Sequence, residues 1–120
     1  MDNNNIVLQK SKTFAIRIIN LYNYLKDNKN EYVLSKQIAR SGTSIGANIR
    51  EAVRGFSKAD FSYKMNTALK EANETEYWLE LLYETGYIME NEFQSIYNDC
   101  CELSRLLTAI VKSCRNSDEK

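Results

Sequence analysis

Hydrophobic side chains recur along this chain at helical intervals of three, four and seven residues, in four separate stretches. We predict helices over residues 5–28, 34–55, 58–85 and 91–115. On the second of them, one face carries Ile38, Ile45, Ile49, Ala52 and Val53. Because the connections are short, the pattern predicts an all-α fold, an antiparallel up-down-up-down four-helix bundle, with the whole chain 1–120 forming a single domain.

Residues suited to helix ends stand between these stretches. Gly55 is expected to end the second helix and Gly86 the third. Ser57 is expected to cap the start of the third helix, and Asn91 with Gln94 resembles a capping pair for the fourth. The chain holds no proline, which fits long uninterrupted helices.

The composition excludes several kinds of chemistry. The 120 residues include no histidine, so imidazole metal ligands and histidine-activated nucleophiles are absent. Glu76, Glu80 and Glu84 follow a helical row, which we interpret as a solvated face and not as a carboxylate metal site. We therefore expect no enzymatic activity, no cofactor and no bound metal.

The pattern also bears on the compartment. No run of about 18 apolar residues is present, and the polar N-terminus does not resemble a signal peptide, so we expect no membrane partner and a cytoplasmic protein. The odd number of cysteines favours free thiols in a reducing environment. We expect Cys100 and Cys114 to act as small core residues.

Equal numbers of basic and acidic residues, 16 of each, hide an uneven distribution. Residues 34–70 carry seven basic and two acidic side chains, whereas residues 71–102 carry nine acidic and no basic ones. Four cations of the second helix fall within about 80° of arc on its outer side, a row that we name the basic strip. The basic strip consists of Lys36, Arg40, Arg50 and Arg54.

Two interpretations of the basic strip remain open. A row of guanidinium groups on a rigid helix can bind the phosphates of a nucleic acid. Alternatively, the strip forms ion pairs with the acidic third and fourth helices of the same or a neighbouring subunit. We favour the second, because the acidic segment balances the basic one.

Two helices carry more apolar surface than one core needs. These additional residues lie away from the core-facing sides of the first and third helices, and they are Ile16, Ile19, Tyr63, Tyr77 and Leu81. Second apolar stripes of this kind are typical of contacts with another subunit, although scattered aromatic residues on a surface are also common. We expect a homo-oligomer.

A combination of short motifs in the second and third helices adds a resemblance to a known family. The motifs are Glu31-Tyr32-Val33-Leu34, Gln37-Ile38-Ala39-Arg40-Ser41, Ser44-Ile45, Asn48-Ile49, Glu51-Ala52, Glu71-Ala72, Glu74-Thr75 and Trp78. Together they resemble the 23S rRNA intervening-sequence protein family, also called the bacterial four-helix bundle protein family, over nearly the whole chain. The resemblance implies a homopentamer of antiparallel bundles, encoded in some cases within insertions in bacterial large-subunit rRNA genes.

A related group, the accessory variability proteins of diversity-generating retroelements, shares the pentameric bundle and binds nucleic acid and a reverse transcriptase. Members of that group are basic, whereas this chain is neutral. The present sequence also has Ala52-Val53 where many family members continue differently after Asn-Ile. Nucleic-acid binding therefore does not follow from the resemblance alone.

Polar motif residues on the facing sides of the second and third helices suggest a hydrogen-bonded network. Its candidate members are Ser44, Asn48, Glu51, Glu74 and Thr75. We favour a structural role for this network, because buried polar groups require partners and then define helix register. A ligand or partner site using Asn48 and Glu51 is the alternative. Gly42 and Gly46 are spaced to let another helix approach closely.

The sequence thus favours a non-enzymatic oligomeric scaffold, and the open phosphate interpretation of the basic strip would associate it with RNA or a ribonucleoprotein. The alternative is a purely protein–protein interaction module in which the basic strip is used in subunit contacts.

Overall fold

The computed structural model describes residues 3–118, which form four helices and no strand. The helices are α1 (Asn3–Lys29), α2 (Leu34–Val53), α3 (Lys58–Glu84) and α4 (Glu90–Asp118). They build a bundle of about 50 × 25 × 21 Å. None of these helices is long and apolar enough to cross a bilayer.

Neighbouring helices run antiparallel and close a ring. Residue numbers rise along one helix while they fall along its neighbour: Lys10 pairs with Glu102 of α4, whereas Arg17 pairs with Asp99. Within the described residues, α1 contacts α2 and α4, α3 contacts the same two helices, and no contact joins diagonal helices. The predicted up-down-up-down four-helix bundle is confirmed.

One continuous apolar core fills the centre of the bundle. The core-facing residues predicted on α2 are buried except for Val53, which is 38% exposed. The prediction for Val53 is wrong, because α2 ends at this residue and the chain then turns toward α3. The periodicity rule holds only while the helix continues.

The predicted start of α3 is correct and its predicted end is one residue too late, whereas the predicted end of α2 and the predicted start of α4 are each one residue late or more. The Ser57 hydroxyl accepts a hydrogen bond from the backbone N–H of Asp60 at 3.0 Å, as an N-cap does. Gly86 has a φ of 85° and follows the last turn of α3, where a residue in the left-handed conformation ends the helix. α2 ends two residues earlier than predicted, and Asn91 lies inside α4, not at its cap, because α4 begins at Glu90.

The connection between α1 and α2 is organised by a buried carboxylate. Glu31 is only 7% exposed, and its two oxygens accept hydrogen bonds from the backbone N–H groups of Val33, Leu34 and Ser35 at 3.3, 3.1 and 2.7 Å. The Ser35 hydroxyl donates back to the Glu31 carbonyl at 2.8 Å. Glu31 thus satisfies the first N–H groups of α2, which have no partner within the helix.

Close approach of α1 and α2 depends on a glycine. A Cβ atom at Gly42 would lie 2.7 and 2.8 Å from the two γ carbons of Ile18, which is fully buried. Real Cβ atoms essentially never come this near to another carbon, so any side chain at position 42 forces the helices apart. The predicted glycine step of α2 therefore faces α1.

Candidate nucleic-acid interface

Three cations of the basic strip stand free on the outer side of α2. Lys36, Arg50 and Arg54 are all exposed, and none of them forms an ion pair with any residue between 3 and 118. The core side of α2 faces the opposite way, since Ile45 and Ile49 are fully buried. These three side chains are therefore available to an anionic partner.

Arg40, the fourth cation, is engaged by α3. Its Nη1 lies 3.1 Å from Oε2 of Glu71, and its Nη2 lies 2.5 Å from Oε2 of Glu74. The hydrogen bond to Glu74 raises the pKa of the Arg40 guanidinium. At Arg40 the structure therefore agrees with the ion-pair interpretation, because this cation is paired within the chain and is not free for a phosphate.

The predicted polar network divides into separate contacts. The Thr75 hydroxyl lies 2.8 Å from the Ser41 hydroxyl in the buried interface between α3 and α2. Glu74 also accepts a hydrogen bond from Nε1 of Trp78 at 3.3 Å. Glu51 reaches α3 through an ion pair of 3.7 Å with Lys64.

Ser44 and Asn48 bond to their own helix instead of to α3. The Ser44 hydroxyl donates to the Arg40 carbonyl at 2.6 Å, and the Asn48 side-chain amide donates to the Ser44 carbonyl at 2.8 Å. Both side chains are half-buried. The structure therefore brings Glu74 and Thr75 to α2, and Glu51 to α3, but joins the five residues in no single network.

A second polar contact zone joins α3 to α4. Glu76 accepts hydrogen bonds from the Ser104 hydroxyl at 2.5 Å and from the Cys101 thiol at 3.6 Å, and Glu80 accepts one from the Tyr97 phenol at 2.8 Å. That last bond raises the pKa of Tyr97. Glu76 and Glu80 are half-buried, so the interpretation of this row as a solvated face is wrong for both.

Cys100 and Cys101 belong to the same interface. Cys100 is fully buried, and its thiol lies 3.4 Å from the Ala72 carbonyl. Burial raises the pKa of the thiol of Cys100, and burial together with the carboxylate of Glu76 raises that of Cys101. Cys114 is half-buried. Within residues 3–118, no group of three or more acidic or cysteine side chains is arranged to hold a metal ion.

Apolar side chains are exposed on two opposite sides of the bundle. On α1, Ile16 and Ile19 are 54% and 47% exposed, and on α3, Tyr63 and Tyr77 are 67% and 54% exposed. Leu81, also predicted to be in a subunit interface, is half-buried. Because α1 and α3 are diagonal in the ring, these two apolar faces point in opposite directions.

Sequence reasoning missed the partners that position these residues. Glu31 was named only within a family motif, and its hydrogen bonds to the start of α2 were not predicted. The acceptors of Arg40 were present as an acidic segment, but no sequence signal selects Glu71 and Glu74 from its nine acids.

Comparison with known proteins places this geometry in a family. The family model described as 23S rRNA-intervening sequence protein matches residues 3–109. This chain belongs to that family. The match includes α1, α2, α3 and most of α4, and therefore all of the basic strip and both apolar faces.

A solved structure supports the assignment to the intervening-sequence protein family. It is a crystal structure of a protein with unknown function from the S23 ribosomal protein family of Bacteroides thetaiotaomicron, and it is 58% identical to this chain. The alignment covers 92% of this chain and 99% of the other, with a TM-score of 0.90. No curated protein matches this intervening-sequence protein.

Proposed function

We propose that this chain is a non-enzymatic helical-bundle protein that self-associates and binds RNA, alone or within a ribonucleoprotein, through α2. The observation that carries the RNA part is the exposed face of α2, where Lys36, Arg50 and Arg54 lack ion-pair partners among residues 3–118. Cations on the outside of a straight helix can each meet a phosphate without rearrangement of the fold.

The acidic residues of α3 do not neutralise this face. Glu71 and Glu74 are paired with Arg40, and Glu76 and Glu80 turn toward α4. The charges of the second half of the chain are thus largely used in contacts between helices. A protein with no net charge can in this way keep a local cationic surface, which attracts phosphates over about 10 Å at moderate salt.

Charge reversal on α2 tests the RNA part. The variant Arg50→Glu with Arg54→Glu should bind a short single-stranded RNA at least about tenfold more weakly than the wild type at low salt, because two phosphate contacts become repulsive. The slope of log affinity against log salt should flatten by about 1.5. Fluorescence anisotropy with labelled RNA over a salt series measures both quantities.

The matched control reverses two exposed cations of α4, Arg105→Glu with Lys112→Glu. α4 lies diagonally across the ring from α2, so this variant has the same net charge but an intact basic strip. It should bind RNA like the wild type, apart from a small uniform loss. Equal losses in the two variants, or a wild type without affinity at low salt, would show that α2 is not an RNA-binding face.

Self-association is supported by the positions of the two apolar faces. A two-fold interface joins the same face of two subunits, for example α1 to α1. It would leave the other apolar face of each subunit exposed to solvent. Contact between the α1 face of one subunit and the α3 face of the next covers both, and such a head-to-tail contact forms a ring when the rotation between neighbouring subunits closes. The family resemblance implies a ring of five.

Polar substitution of the α1 face tests the assembly. Ile16→Ser with Ile19→Ser should convert a wild-type oligomer into monomers of 13.9 kDa, because about 1 kcal/mol or more of apolar burial is lost at each position in every interface. Native mass spectrometry or light scattering measures the particle mass.

The control for the assembly uses apolar residues that are more exposed but lie outside the helix faces. Val33 and Met89 are 71% and 70% exposed and lie in the connections at one end of the bundle. Val33→Ser with Met89→Ser should leave the oligomer intact. A monomeric wild type would contradict the proposal directly.

Protein interaction alone is the second candidate, and Arg40 favours it, because this cation is already used against α3. On this alternative, Arg50 and Arg54 contact acidic residues of a neighbouring subunit. The variant Arg50→Glu with Arg54→Glu would then dissociate the oligomer, and RNA would not bind at all. The mass of this variant therefore distinguishes the two candidates.

A further inference from the structure

Phe56 is the most exposed large apolar side chain in the described part of the protein. It lies in the connection between α2 and α3, and its relative exposure of 106% means that nothing else in residues 3–118 covers the ring. Burial of a phenylalanine side chain stabilises a protein by about 1.5–3 kcal/mol, and this position gains none of that stabilisation within the chain. The ring is therefore open to an external partner.

The backbone on both sides of Phe56 is fixed. The N–H of Gly55 donates to the Ala52 carbonyl at 3.2 Å, and the N–H of Arg54 donates to the Arg50 carbonyl at 3.1 Å. After Phe56, Ser57 caps α3. The short connection thus holds the backbone of Phe56 at a defined place, so binding has to order only the side chain.

A groove lies beside the ring at this end of the bundle. Its volume is about 470 Å³, and its lining includes Val53, Phe56, Lys58, Phe61 and Cys114. This volume falls within the range of sites that hold a small organic group. The lining combines apolar side chains with one cation. Such a lining suits a ligand in which a flat ring is joined to an anionic group.

Positive charge continues from the basic strip to this groove. Arg54 and Lys58 stand two residues before and after Phe56, and neither forms an ion pair within residues 3–118. Arg50 lies one helical turn before Arg54 on the same side of α2. Asp60 is the acid beside this connection, and its carboxylate lies against Gly55.

Charge separates this end of the bundle from the other. The exposed Met89 lies between α3 and α4, close in sequence to Glu84, Glu90 and Glu92, and an acidic environment repels phosphate. An aromatic ring surrounded by cations instead matches the chemistry of single-stranded nucleic-acid sites, where bases stack on rings and cations hold the backbone.

We propose that Phe56 is a stacking platform for an unpaired nucleotide of RNA, at the end of the track formed by Arg50 and Arg54. The base stacks on the ring beside the groove, and Lys58 holds the neighbouring phosphate. This inference rests on the proposed RNA association and adds the class of ligand, a single-stranded segment. A duplex cannot use the site, because its bases are already stacked.

Phe56 variants test the platform with the full-length chain. Phe56→Ala should weaken binding of a short labelled oligouridylate about tenfold, while binding of an RNA duplex of the same length stays within about twofold of wild type. Phe56→Leu keeps an apolar side chain without a π face and should behave like Phe56→Ala, whereas Phe56→Trp should retain affinity. Because the ring is exposed, thermal unfolding should be unchanged in all three.

The outcomes separate this inference from the proposal on which it rests. If reversal of Arg50 and Arg54 weakens RNA binding but Phe56→Ala does not, the platform is wrong and the RNA association stands. Equal losses on duplex and single strand also overturn the platform. If the wild type binds neither RNA but binds vesicles containing phosphatidylglycerol in a Phe56-dependent manner, the occupant is a lipid surface and both statements are wrong.

Discussion

Replacement of Gly42 by valine should lower the free energy of unfolding by about 3 kcal/mol, the upper part of the range for overpacked cores. The Cβ atom alone would come within 2.8 Å of the buried γ carbons of Ile18, and the valine methyl groups add volume to the same site. Glycine in a helix interior is about 1 kcal/mol less favourable than alanine, so helix propensity alone would favour a larger residue at position 42. Chemical denaturation at a fixed protein concentration measures the change.

Gly46 supplies the matched control for Gly42. A Cβ atom there would lie 3.2 Å from the Ser11 hydroxyl, and the position opens into a surface groove of about 210 Å³. Gly46→Val should therefore cost about 1 kcal/mol or less. In a double variant, Ile18→Ala should partly relieve the effect of Gly42→Val, because it removes the colliding carbons. Additive effects of the two changes would show that α1 and α2 are not in close contact here.

Replacement of Glu31 by alanine should cost about 2–3 kcal/mol. Three backbone N–H groups at the start of α2 would lose their charged acceptor, and one of these hydrogen bonds, from Ser35, is buried. Glu31→Gln retains one carbonyl oxygen and should cost about half as much. Denaturant unfolding gives the free energies, and amide hydrogen exchange of Leu34 and Ser35 should accelerate selectively.

Glu90 is the control for Glu31. It also stands at the beginning of a helix, but it is exposed and its side chain forms no hydrogen bond with residues 3–118. Glu90→Ala should change stability by about 0.5 kcal/mol or less, through the helix dipole alone. Equal effects at the two positions would mean that Glu31 acts only through its charge and not as a buried cap.

The four helices could be predicted from periodicity because each helix has a core-facing stripe that continues over several turns. Val53 shows the limit of this reasoning. It has the correct spacing to face the core, but it is the last residue of α2, and the spacing contains no information about where hydrogen bonding stops. Asn91 shows the same limit at the start of α4. Helix ends depend on tertiary packing as well as on local sequence.

The candidate site could be predicted in part. The arc of α2 that carries Lys36 and Arg50 follows from 100° per residue, and its exposure follows from the opposite core face. Arg54 is the cap residue just after the last residue of α2. The engagement of Arg40 could not be predicted, since it depends on the axial and rotational position of α3 relative to α2, and Glu71 and Glu74 lie more than thirty residues away. The exposure of Phe56 could not be predicted from the sequence either, because a lone phenylalanine near a turn is more often buried.

The diagonal positions of α1 and α3 have a consequence for mixtures of chains. If their apolar faces join subunits as we propose, a chain altered on its α1 face still offers an intact α3 face to a normal neighbour. Such a chain would enter a growing ring and stop it, because no further subunit could follow on the altered side. Damage to one face would then act dominantly, and two chains with complementary damage would form isolated pairs instead of rings.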